Sequence, residues 1–134
     1  MATVVKHIHT RARVGDAWAA IRDIGALHTR LVPGFVTATR LEPGARVVTF
    51  ANGMVIREPI ITLDDTGMRL VWSAEGGRST HYNAAAQVIA EPDGTARVIW
   101  TADFLPKEIA PEIDAAMSAG AAVMKRTLDA LADR

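Results

Sequence analysis

No cysteine occurs among the 134 residues. That excludes disulfides, thiolate nucleophiles and zinc–thiolate sites, and it fits a reducing, cytoplasmic setting. Net charge is missing as well. Lys and Arg together number 15 and Asp and Glu 15, so no global field favours nucleic acid or an anionic membrane surface. No apolar run is long enough to span a bilayer. The first ten residues are interrupted by Lys6, His7 and His9 and do not read as a signal peptide. Internal repeats, low-complexity tracts and linkers are absent. So are a Gly-rich phosphate loop, a Ser/His/Asp set and a paired-carboxylate motif, and nothing calls for a cofactor. The length suits one core and is too short for two, so the expectation is one domain spanning 1–134.

What is present is organised around the final stretch, Pro106 to Arg134, which reads as one long helix. Ile109, Ile113, Ala116, Met117, Gly120, Met124, Leu128 and Leu131 recur in steps of three and four and share a face. Pro111 suits the first turn, where the missing N–H costs little, and the helix is expected from Pro111 to Ala132. The middle of its stripe is small: Ala115, Ala116, Ala119, Gly120, Ala121 and Ala122. Small residues give either very close packing or unfilled space. The expectation is space, so that a leucine at position 120 would fill a pocket.

Ahead of that helix the punctuation is regular. Thr3 to Arg11 is β-rich, Val14 to Asp23 reads as a short helix, and Ala26 to Arg30 adds a further helical turn. Glu42-Pro43-Gly44, Asn52-Gly53, Asp64-Asp65-Thr66-Gly67, Gly76-Gly77 and Pro92-Asp93-Gly94 are five turn signals between six short β segments. Asn52-Gly53 is the strongest, as a two-residue hairpin with positive φ at both positions. Connections this short join antiparallel strands. The fold class is therefore α+β: a seven-stranded curved antiparallel sheet wrapped around a long C-terminal helix, with two short helices after the first strand. Only that last helix is long enough to cover the apolar face of the sheet.

Alternation assigns the side chains facing the helix. They are Arg46, Val48 and Phe50 on the third strand, Ile56, Glu58 and Ile60 on the fourth, and Leu70, Trp72 and Ala74 on the fifth. Tyr82, Ala84, Ala86 and Val88 follow on the sixth, and Val98, Trp100, Ala102 and Phe104 on the seventh. An Arg, a Glu and a Tyr thus sit among apolar residues. A sealed core avoids such groups, so they either pair with one another or line a cavity. The Asn52-Gly53 hairpin sets Arg46 and Glu58 across a ladder, which predicts an inward ion pair.

The order of elements resembles the START-like helix-grip superfamily, also called SRPBCC, in its polyketide cyclase/dehydrase-like branch. The residues that carry the resemblance are Ala17-Trp18, Ile21 and Asp23 in the first helix, and Gly44 and Arg46 before and within the third strand. Gly53, Glu58, Leu63-Asp64-Asp65, Val98-Ile99-Trp100 and the closing Leu128 and Leu131 complete the set. One departure is Arg13-Val14, where a proline usually precedes the first helix. Another is Leu31-Val32-Pro33, near the expected pocket mouth. The resemblance implies that Arg46, Glu58 and Tyr82 line a ligand pocket, as the matching positions do in abscisic acid receptors. Aligned backwards from Pro106, it also implies the opposite parity for the seventh strand, with Thr101 and Asp103 inside; a bulge would reconcile the two.

Three functions follow. The leading one is binding of a small, mostly apolar or aromatic molecule, as carrier or sensor. Its pocket would be lined by Arg46, Val48, Phe50, Ile56, Glu58, Leu70, Trp72, Tyr82, Ala84, Trp100, Ala116 and Gly120. The second is a cyclase/dehydratase-type enzyme in which Glu58, with Tyr82 or Asp103, moves protons while the pocket folds the substrate. The third is a protein-interaction module with a vestigial cavity. Neither nucleic acid nor membrane is an expected partner; a homodimer is compatible with the sequence. His7 and His9 share a strand face but lack a third ligand, so no metal is expected. His28 is placed at the surface or the pocket mouth, and Gly76-Gly77 is read as a hairpin turn only.

Overall fold

The computed structural model describes residues 1–134. Its strands are β1 (Ala2–Arg13), β2 (Val36–Glu42), β3 (Ala45–Phe50), β4 (Val55–Asp64), β5 (Arg69–Ser73), β6 (His81–Ala90) and β7 (Thr95–Leu105). They form one antiparallel sheet in the order β1-β7-β6-β5-β4-β3-β2. The meander from β2 to β7 is what its short turns dictate. β1 closes the other edge by pairing with β7. Helix α1 (Val14–Arg22) follows β1, and a 3-10 turn over Ile24–Ala26 and a wide π turn over Leu27–Leu31 lead to β2. Ala26 to Arg30 thus does coil, in a wider turn than an α-helix.

Helix α2 (Ala110–Leu131) runs unbroken through Gly120, behind a 3-10 turn at Lys107–Ile109, with Pro111 in its first turn. At 22 residues it is about 33 Å long. It buries Met117, Gly120, Met124 and Leu128 against the sheet, as the three/four spacing requires. No helix is long and apolar enough to cross a membrane.

The C-terminal half of α2 is fastened to β1. The Thr10 hydroxyl and the Arg11 N–H donate to Asp129 Oδ1 at 2.6 and 2.9 Å, and Lys125 Nζ reaches Asp129 Oδ2 at 3.2 Å and the His9 carbonyl at 2.7 Å. Burial acts to raise the Asp129 carboxyl, but the bonds from Thr10, Arg11 and Lys125 together outweigh it and hold the group below the ordinary carboxylate range.

Two local expectations change. The β3–β4 connection is a three-residue loop, not a two-residue one: Gly53 N–H donates to Phe50 O, Phe50 N–H donates to Met54 O, and only Gly53 has positive φ, +87°. That is the turn-plus-bulge hairpin, which needs glycine only at its last position. In β7, the register with β6 is continuous from Ala96 to Leu105. Ala96, Val98, Ala102 and Phe104 are buried, while Asp103 accepts from the Thr3 hydroxyl on the outer face. Thr101 and Asp103 therefore point away from α2, because no bulge interrupts the alternation.

Candidate functional site

Between α2, the β3–β6 half of the sheet and the segment from α1 to Phe35 lies a cavity of about 480 Å³. Its lining is mostly apolar, with a buried polar end built on the β3–β4 ladder. Arg46 and Glu58 are directly opposed residues of that ladder. Arg46 Nε donates to Glu58 Oε1 at 2.8 Å, with side chains only 3% and 8% exposed. The guanidinium also lies 5.4 Å from the centroid of the Trp72 ring, a cation–π arrangement. Its Nη1 reaches the Ile24 carbonyl at 3.5 Å. Burial pushes the Glu58 carboxyl up, and the charge and hydrogen bond of Arg46 only partly offset it.

Tyr82 enters the cavity from β6, its ring stacked on Phe104 at 6.4 Å and 22°. Burial raises its phenol above the ordinary value, and the neighbouring Glu58 carboxylate adds to the effect. Trp100 lines the cavity from β7, and its buried Nε1 has no hydrogen-bond partner.

Nine of the expected pocket residues border the cavity. Arg46, Glu58 and Tyr82 form its polar end, Phe50, Ile56, Leu70, Trp72 and Trp100 its sheet wall, and Ala116 its helix side. Three do not. Val48 and Ala84 face inward but are buried in the core. Gly120 leaves no space: a Cβ there would meet the Trp100 ring at 3.1 Å and Phe35 at 3.2 Å. Glycine is the residue that lets the indole lie against the helix. Ala115, Ala119 and Ala122 are exposed to solvent, so the small-residue stripe opens onto the cavity at Ala116 alone. Asp103, on the outer face, cannot share a substrate with Glu58. His7 and His9 are also outside: His7 Nδ1 is 3.0 Å from an Arg97 guanidinium nitrogen, and His9 Nδ1 lies 4.0 Å from Glu91. His28 is half-buried, its ring nitrogen 3.1 Å from the Thr39 hydroxyl.

Alternation along strands does not reach the residues contributed by turns and helices. Ile21, Leu27, Leu31 and Val32 close one side of the cavity. The apolar Ile21 at the end of α1 and the apolar Leu27, Leu31 and Val32 after it are the signal that would have found them, and Leu31-Val32 does lie against the cavity. Phe35 packs edge-on against Phe50 at 5.7 Å and 85°. At the mouth, Met54 from the β3–β4 loop faces Gly76, Gly77, Arg78 and Ser79. Gly76-Gly77 is thus more than a turn. A Cβ at Gly77 would stand 3.2 Å from Ile56 Cδ1. Arg78 and Glu112, from the first turn of α2, form an ion pair between two lining residues.

A curved sheet gripping a helix over an apolar cavity with one buried ion pair defines a helix-grip fold. The family model for polyketide cyclase/dehydrase and lipid transport proteins matches residues 1–134, and the chain belongs to that family. The chain is similar to a protein of Thermobifida fusca solved by NMR, with 28% identity over 100% of this chain and 93% of that one and a TM-score of 0.77. The protein XoxI of Bacillus cereus is similar at 17% identity, 96% of each chain and a TM-score of 0.85. A START superfamily protein of Mycobacterium smegmatis is similar at 8% identity, 98% of this chain and 97% of that one, with a TM-score of 0.73. None of the curated proteins matches the chain.

Proposed function

We propose that the chain binds a small, mostly apolar molecule in this cavity, as a carrier or sensor working in the cytoplasm. The observation that carries the reading is the cavity itself: about 480 Å³, apolar over most of its wall, with a buried polar end at Arg46, Glu58 and Tyr82 and a second polar group, the Arg78–Glu112 pair, at its mouth. That is the usual build of a small-molecule site. The absence of a sealed core weighs against a pure interaction module. Native mass spectrometry of the freshly purified protein tests the proposal, with a copurifying hydrophobic molecule as the expected result. A bare protein that also fails to take up a neutral fluorophore such as N-phenylnaphthylamine would refute it.

A cyclase/dehydratase-type activity is the second reading, favoured by Glu58 and Tyr82 facing one cavity with raised carboxyl and phenol values. Glu58 suits a base better than Tyr82 suits an acid, because a phenol pushed above its ordinary value gives up its proton less readily. Loss of turnover in Glu58→Gln with ligand binding retained would support this reading over simple carriage.

A further inference from the structure

The contact between Arg46 and Glu58 is single. Nε meets Oε1, Nη1 reaches Ile24 O, and neither Nη2 nor Oε2 has a partner in the protein. These atoms are not sealed in either, for Trp100 Nε1 is the one buried polar side-chain atom without a partner. Both residues line the cavity, as does Tyr82, whose hydroxyl also makes no hydrogen bond with the protein. The polar end therefore presents a donor nitrogen and an acceptor oxygen, Arg46 Nη2 and Glu58 Oε2, left free in a pair whose charges cancel. It adds a hydroxyl that plays either part.

We propose that this end of the cavity selects an uncharged ligand whose polar group both donates and accepts a hydrogen bond, such as an alcohol, phenol or primary amide, and discriminates against the matching carboxylate. The inference rests on the ligand-binding reading above. An amide or hydroxyl satisfies Arg46 Nη2 and Glu58 Oε2 together. A carboxylate also accepts from Nη2, but it brings a second negative charge beside Glu58 and loses its own hydration. The only other ionic groups lining the cavity, Arg78 and Glu112, are paired with each other. No unpaired cation remains to offset that cost.

The test is displacement of N-phenylnaphthylamine by a series with one common ring: naphthalene, naphthol, naphthamide and naphthoate. In the wild-type protein at neutral pH, naphthol and naphthamide are expected to bind about fivefold more tightly than naphthalene, the worth of a net hydrogen bond. Naphthoate is expected to bind most weakly. In Glu58→Gln the order should invert, with naphthoate gaining about tenfold on naphthol as Arg46 loses its counter-charge. Tyr82→Phe should weaken naphthol and leave naphthalene unchanged, a readout that survives if the Glu58 variant does not fold. Naphthalene binding as tightly as naphthol and naphthamide, or naphthoate binding most tightly to the wild type, would overturn the inference and leave the cavity reading standing. Failure of the fluorophore itself to bind would overturn both.

Discussion

Arg46 and Glu58 stand opposite each other on neighbouring strands, 2.8 Å apart and nearly shut off from solvent. Removing one member leaves a buried charge; removing both does not. Arg46→Met is expected to cost about 3–5 kcal/mol, and Arg46→Met combined with Glu58→Leu clearly less. Urea unfolding of the two single variants and the double variant measures the coupling. A coupling of zero would show that the pair does not act as a unit.

Tyr82 is the only tyrosine of the chain, so tyrosinate absorbance reports on it alone. Burial and Glu58 both raise its phenol. The folded protein is expected to stay tyrosinate-free through the ordinary midpoint near 10. The linked stability is present below that unfolded value and is lost as pH rises toward the folded one. A reversible titration centred near 10 in the folded protein would contradict the buried placement.

Gly120→Leu should lower the melting temperature and also empty the cavity of ligand. The added side chain meets Trp100 and Phe35 at once, and overpacking of this kind costs about 1–3 kcal/mol. Trp100 and Phe35 both line the cavity, so a side chain that pushes them off the helix narrows it. A variant as stable as the wild type in the absence of ligand would mean that the space is there after all.

Asp129 ties α2 to β1 and is held below the ordinary carboxylate range. Its contribution is therefore fully present above about pH 4 and disappears as pH falls through the lower folded value. Asp129→Asn is expected to cost about 1–2 kcal/mol at neutral pH, discounted for its partial exposure, and much less in acid. Equal losses at both pH values, followed by urea unfolding, would show that the carboxylate charge is not what matters.

The legible part of the site was its strand-borne half. A period of two, combined with the Asn52-Gly53 turn, is enough to set Arg46 against Glu58 even though the loop proved one residue longer than expected, because the ladder parity survives that change. The parity of β7 was also legible from its own alternation; it was the alignment by resemblance that placed Asp103 inside. The small residues of α2 were harder. Glycine and alanine at one helical spacing read alike, and only the lie of the Trp100 indole separates Gly120, which is covered, from Ala116, which opens onto the cavity. The mouth was not legible because turn residues announce a change of direction, not what they face. The Asp129 tie was equally silent, since an acidic residue near a helix end reads as a solvated one.

The two ends of α2 are held to different degrees. Its last turns are tied to β1 by the largely buried Asp129, which accepts from a hydroxyl and a backbone N–H and also pairs with Lys125. Its first turns, beside the cavity, are held by Lys6 to Asp114 and Arg78 to Glu112, with both acidic partners largely exposed. Exposed pairs of this kind contribute about 0–1 kcal/mol and weaken as salt is added. The helix is thus a cantilever, firmly clamped at its far end and lightly latched where a ligand would pass. Ionic strength should therefore set how fast the cavity fills and empties, while hardly touching how stably the protein is folded.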